Sequence, residues 1–109
     1  MATKRRIEMT AFLFSYRMPN GYVPGRIDVM ATWKSWFEGM GEDLVEMGNP
    51  TFESRALGNT GSDTSLGGYS IVDANDLESA LALAKGCPAL ADGGGVEVGV
   101  IAEVGGVTD

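Results

Sequence analysis

Two tryptophans and a phenylalanine, Trp33, Trp36 and Phe37, fall within little more than one turn of helix, and large flat side chains gathered so tightly can wall a hydrophobic ligand cleft. Trp33 and Phe37 belong to a longer apolar stripe, for which core or dimer packing is the competing assignment; Trp36 flanks the stripe and is the better pocket candidate. Arg55 is the only basic residue between Lys34 and Lys85. Its guanidinium fork suits a bidentate grip on a carboxylate, with an intrachain pair to Glu53 or another nearby acid as the alternative. Tyr16, Arg17 and Tyr69 lie in or at the ends of strand-like runs and can offer hydroxyl and guanidinium groups to a pocket, strand-end packing being the other reading. Tyr16, Trp36, Arg55 and Tyr69 are therefore the candidate ligand-binding residues.

Other groups have plainer explanations. Asp73, Asp76 and Glu78 could gather round a divalent cation, but acids at the start of a helix are accounted for by its unpaired amides and dipole. Asp28, Glu42, Asp43 and Glu46 read as the solvated face of a helix. Gly93-Gly94-Gly95 has no Lys-Ser/Thr helix start after it, so it is a loop rather than a phosphate cradle. Cys87 has no cationic neighbour beyond Lys85 to make it a reactive thiolate. With no histidine and one cysteine in 109 residues, zinc frameworks, Cys/His and Ser/His dyads and imidazole general bases are excluded. No metal and no cofactor are expected.

The formal charge of −7 understates the acidity, since Lys4, Arg5 and Arg6 sit at the extreme N-terminus and only five basic residues accompany the fifteen acids that follow. Such a body repels phosphate backbones and anionic bilayers, so neither nucleic acid nor a membrane is an expected partner. The apolar stretch from Met9 to Phe14 is short, preceded by Glu8 and followed by Arg17, which does not read as a secretory leader. A cytoplasmic location is expected.

These side chains need elements to position them, and the length suits one domain spanning residues 1–109, with flexible tails at 1–7 and 105–109. Residues 8–17 read as a first strand, ending in a turn-rich loop with Pro19, Gly21, Pro24 and Gly25. Met30, Trp33, Phe37, Met40, Leu44 and Met47 recur at alternating spacings of three and four, which predicts one helix running to Gly48-Asn49-Pro50. Gly39 and Gly41 weaken that helix and mark close packing or a bend. Thr51 to Leu57 reads as a second strand, Gly58 to Ser65 as a turn and Leu66 to Asp73 as a third strand. Asn75 and Glu78 form a capping-box-like start to a second helix with Leu77, Ala80, Leu81 and Ala84 as its apolar face; Gly86 and Pro88 stop it. Val96, Val98, Val100, Ala102 and Val104 alternate with Glu97, Gly99, Ile101 and Glu103 in a fourth strand.

The order β-α-β-β-α-β predicts a ferredoxin-like α+β fold, a four-stranded antiparallel sheet with both helices on one face. Phe12, Phe14 and Tyr16 point to one side of the first strand, Met9, Ala11 and Leu13 to the other, and Ile71 and Val72 split likewise. Two helices cover one side only; a second copy of the sheet is expected over the other, with Phe14→Asp as the change to break that homodimer.

The run Leu66-Gly67-Gly68-Tyr69-Ser70-Ile71-Val72-Asp73, then Asp76-Leu77-Glu78-Ser79-Ala80-Leu81, Cys87-Pro88, a glycine loop and Val96-Glu97-Val98 resembles the YCII-related domain family, particularly its DGPF branch. The resemblance implies a dimeric α+β barrel, in which two ferredoxin-like sheets face one another. The Asp-Gly-Pro-Phe segment that names the branch would fall just before Leu66, where this chain has Gly61-Ser62-Asp63-Thr64-Ser65. The His/Asp pair associated with catalysis in some YCII-like proteins has no histidine to match. The expected function is accordingly small-molecule binding in a cleft between the sheet and the first helix, or a non-catalytic accessory role. The alternative is a cofactor-free isomerase, lyase or monooxygenase acting on a hydrophobic or aromatic substrate.

Overall fold

Strand β1 (Thr10–Pro19) alternates with a period of two: Phe12, Phe14, Tyr16 and Met18 are buried, while Ala11, Leu13, Ser15 and Arg17 face the other way. The structure, a computed structural model, describes residues 9–23 and 26–102. The two expected tails, Pro24 and Gly25 of the turn-rich loop, and Glu103 and Val104 of the expected fourth strand lie outside them. β1 is central, pairing antiparallel with β3 (Thr64–Ala74) on one side and β4 (Gly95–Val100) on the other. The short edge strand β2 (Leu44–Glu46) pairs antiparallel with β3, so the sheet order is β2-β3-β1-β4. Helix α1 (Ile27–Met40) connects β1 to β2, while α2 (Leu77–Ala84) and the single turn α3 (Pro88–Ala91) connect β3 to β4. This is the expected α+β arrangement, with the helices packed on one side of a four-stranded antiparallel sheet.

The register shows how the alternation builds the core. Directly opposed residues share a face, and Phe12 stands opposite Val72 and Val100, Phe14 opposite Ser70 and Val98, and Tyr16 opposite Gly68 and Val96. Ala80, Ala84, Cys87 and Ala89 close over them from α2 and α3, and Met40 from α1. Phe12 and Phe14 are completely enclosed, each contributing ~1.5–3 kcal/mol relative to exposure. Phe14 therefore lies on the covered side and is not a probe of the open one. The open face carries Ala11, Leu13, Ser15, Tyr69, Ile71 and Asp73, with Glu97 on β4. It is a mixed surface in which Leu13 is exposed and Ile71 half-buried.

Three expectations are corrected. The first helix ends at Met40, seven residues before Met47, because Gly41 adopts φ +56° and its N–H turns back to the Glu38 carbonyl. A turn of 3₁₀ helix, Gly41–Asp43, then feeds the second strand, which is Leu44–Glu46 rather than 51–57. Leu44 still faces inward because it pairs with Val72, so strand alternation happens to continue the helical stripe. Lastly, α2 is capped by Asp76, whose carboxylate accepts from the Ser79 amide at 2.8 Å, and buries Ala80 and Ala84 while Leu77 and Leu81 stay exposed. Among the described residues, no helix is long and apolar enough to cross a membrane.

Candidate functional site

Beyond β2 the chain does not leave the sheet at once. Residues 47–51 run along the edge of β3: Pro50 bridges Gly68, the Tyr69 amide donates to the Asn49 carbonyl at 3.3 Å, and the Thr51 amide donates to Gly67 at 3.2 Å. This close approach explains the glycines on both sides. Gly68 takes φ +149°, and a Cβ there would press on the Asn49 carbonyl and Pro50 Cα; Gly48 takes φ +76°, and a Cβ there would collide with the Tyr69 carbonyl. The segment is also tied from beneath. Tyr16 Oη donates to Ser70 Oγ at 2.7 Å, and Ser70 Oγ donates to the Met47 carbonyl at 2.6 Å.

Between this edge and α1 lies a cleft of about 350 Å³, at the small end of the range that takes small molecules. Its inner wall is aromatic. The Tyr16 and Trp33 rings meet edge to face at 4.8 Å, and Trp33 lies 5.8 Å from Phe37. Tyr22 closes another side, and Met30, Met47 and Phe52 form a rim on which each side chain is more than half exposed. The polar groups are few: Lys34, the Asn49 amide and the phenols, with Asn49 Nδ2 donating to Tyr69 Oη at 3.4 Å. Burial pushes the Tyr16 phenol well above its ordinary range, further than the hydrogen bond to Ser70 brings it down. Burial, and then the charge of Asp92, raise Tyr22 as well. Both are neutral hydrogen-bonding groups at physiological pH.

A second, larger hollow of about 680 Å³ adjoins the cleft beneath the loop 51–64, and Met18, Tyr22, Phe52 and Gly67 line both. It contains Arg17 and Arg55. Arg17 Nε donates to Thr64 Oγ1 at 3.1 Å, and Nη2 donates to the carbonyls of Thr64 at 2.7 Å and Thr60 at 3.5 Å.

The four sequence candidates thus separate. Tyr16 and Tyr69 line the aromatic cleft; Arg55 lies in the loop and lines the second hollow; Trp36 lines neither. Its indole N–H donates to the Leu83 carbonyl at 3.1 Å, and its ring packs on Phe14 at 6.2 Å and against Gly86, joining α1 to the end of α2. Trp33, the indole on the apolar stripe, is the one that walls the cleft. Met47 and Phe52, on the rim, flank Gly48-Asn49-Pro50, which reads in sequence as a helix stop. Two large apolar residues bracketing a turn were the available signal. Arg55 pairs with Glu53 at 3.7 Å, both largely exposed.

No group of three or more metal-ligating side chains occurs among the described residues. Asp76 is occupied as the α2 cap, and its hydrogen bonds from Ser79 hold the carboxyl below its usual range. Cys87 is buried, and that burial lifts its thiol to about 11.

The cleft, the second hollow and the sheet that positions them all fall within the span matched by a family model, that of the YCII-related domain, which aligns with residues 9–104. The chain belongs to the YCII-related domain family. In this YCII-related domain, the match covers every described element from β1 to β4. No curated protein and no solved structure matches the chain.

Proposed function

We propose that this YCII-related protein binds an apolar or aromatic small molecule in the cleft between α1 and the β2–β3 edge. The cleft itself carries the reading: an aromatic inner wall with Met30, Met47 and Phe52 left in water at its rim. Exposed side chains of that size each forgo ~1.5–3 kcal/mol of burial, part of which a ligand recovers. Proton transfer would fall to phenols or Lys34, since no carboxylate among the described residues lines the cleft. Tyr16, held neutral with its proton committed to Ser70, suits holding a ligand more than acid–base catalysis. Neutral aromatic probes such as indole or naphthalene amides should quench or shift tryptophan emission and raise Tm. Trp33→Ala should abolish both responses, and Trp36→Phe should leave affinity within about twofold while costing ~1 kcal/mol of stability through its lost hydrogen bond. Silence across a broad panel would sink the reading.

We further propose that the protein is a homodimer through the open face of the sheet, where Leu13 and Ile71 form the apolar part. Light scattering at low micromolar concentration should give twice the 11.5 kDa chain mass, and Leu13→Asp should return a monomer that still binds probes. A monomeric wild type would overturn the dimer and leave the cleft standing. A buried free thiol suits a reducing compartment, and the cytoplasm is the proposed location.

A further inference from the structure

The two hollows differ in chemistry as well as size. Of the fifteen acids in the chain, Glu53 alone among the described residues lines the larger one, and it is Arg55's partner across an exposed pair that holds weakly. Arg17 is half-buried, and every hydrogen bond it makes goes to a neutral oxygen, of Thr60 or Thr64. Its other terminal nitrogen, Nη1, makes no hydrogen bond to the described residues, nor does any carboxylate among them lie within ion-pair distance of it. A guanidinium fixed by neutral acceptors, with a free edge and no counter-charge among the described residues, is arranged to receive an anion. Hydroxyls of Ser54, Thr60 and Ser62 line the same hollow and can complete the hydrogen-bonding shell.

We propose that the Arg17–Arg55 hollow binds the anionic head, a carboxylate in the first instance, of the ligand whose apolar body occupies the Trp33 cleft. This rests on the cleft reading and narrows it to amphipathic monoanions. The juxtaposition supports it: the hollows adjoin across Met18, Tyr22 and Phe52, of which Phe52 is 78% exposed and free to yield. Arg17 is anchored and sets the position of the head; Arg55 is exposed and closes on it by exchanging Glu53 for the ligand.

The test is calorimetric, with 4-(2-naphthyl)butanoate and its primary amide, which share one shape and differ in charge. The wild type should favour the acid by at least about tenfold at low salt, the worth of a hydrogen bond to a charged group, and the preference should shrink as ionic strength rises. Arg55→Gln and Arg17→Gln should each bring the ratio toward one while leaving amide affinity within about twofold. Unchanged amide binding also shows that the Arg17 variant has folded. Lys85→Gln, at the end of α2 and lining neither hollow, should leave the ratio alone. Equal binding of acid and amide by the wild type overturns the anion site but not the cleft. Loss of the preference only in Lys34→Gln moves the charge to the cleft rim and overturns it too. Failure of both probes to bind refutes the cleft reading and this inference together.

Discussion

Replacing Ser70 with alanine strikes a hydroxyl that is fully buried and bonded twice, accepting from Tyr16 Oη at 2.7 Å and donating to the Met47 carbonyl at 2.6 Å. Alanine strands both partners. A buried donor left without an acceptor costs ~1–3 kcal/mol, and the Met47 carbonyl adds less because its surroundings are partly open to water. The expected loss is therefore ~2 kcal/mol, which for a domain of this size lowers Tm by roughly 8–16 °C. Tyr16→Phe should be milder, at ~1 kcal/mol, since it deletes the donor and leaves Ser70 still bonded to Met47. The double variant contains no stranded phenol, so its loss should fall short of the sum of the single losses by about 1 kcal/mol. Urea unfolding followed by tryptophan fluorescence measures all four corners, provided the m-value is constant across them. The same relay predicts an alkaline limb. Tyr16 has a folded pKa above its unfolded value of 10.0; its contribution is complete below that value and is lost as pH rises above it, and Tyr16→Phe should flatten that part of the profile. If Ser70→Ala costs less than Tyr16→Phe, or if the two losses simply add, the relay does not tie the cleft edge to the core and the reasoning fails.

Cys87, lifted from 9.0 to about 11, contributes stability that is whole below pH 9 and falls by roughly 2–3 kcal/mol as pH rises through 11. Cys87→Ala should remove that portion of the decline, and the native thiol should stay silent to a thiol reagent at pH 8 until the protein is unfolded. Gly48→Ala should cost more than ~2 kcal/mol, because a positive φ and a collision with the Tyr69 carbonyl act together, whereas Gly58→Ala, at the same φ +76° in open space, should cost only ~1 kcal/mol; equal losses by urea unfolding would show that residues 47–51 are not held against β3. Asp76→Ala should speed hydrogen exchange at Ser79 while Asp76→Asn should not. Because the Asp76 carboxyl is held below 3.8, its stabilising share is present above that value and fades as pH falls through the lower folded one.

What sequence could determine here is what repeats along the chain. The period of two in Phe12, Phe14, Tyr16 reports burial directly, because a strand has only two faces; the register sets Val96, Val98 and Val100 opposite them on the same face, where Val96 and Val98 are partly buried and Val100 stays exposed. The run from Leu66 to Asp73 and the order of elements then carried the fold and the family. The helix end and the second strand were hidden because Leu44 and Met47 fall at helical spacing whether the chain continues as a helix or turns at Gly41 into a strand; only the pairing of Leu44 with Val72 decides. The site was legible as far as its phenols and its arginines. Which indole would wall it was not: Trp33 and Trp36 project from adjoining faces of α1, and the one that becomes structural is the one α2 approaches, where the Leu83 carbonyl and the side-chain-free Gly86 receive it. Likewise Tyr16 and Arg17 point to opposite faces, and they come to line adjoining hollows because the loop after Pro50 folds back across the end of β1 and supplies the wall between them. Periodicity reports the face on which a side chain lies; what meets that face is settled by segments distant in sequence, which no local pattern contains.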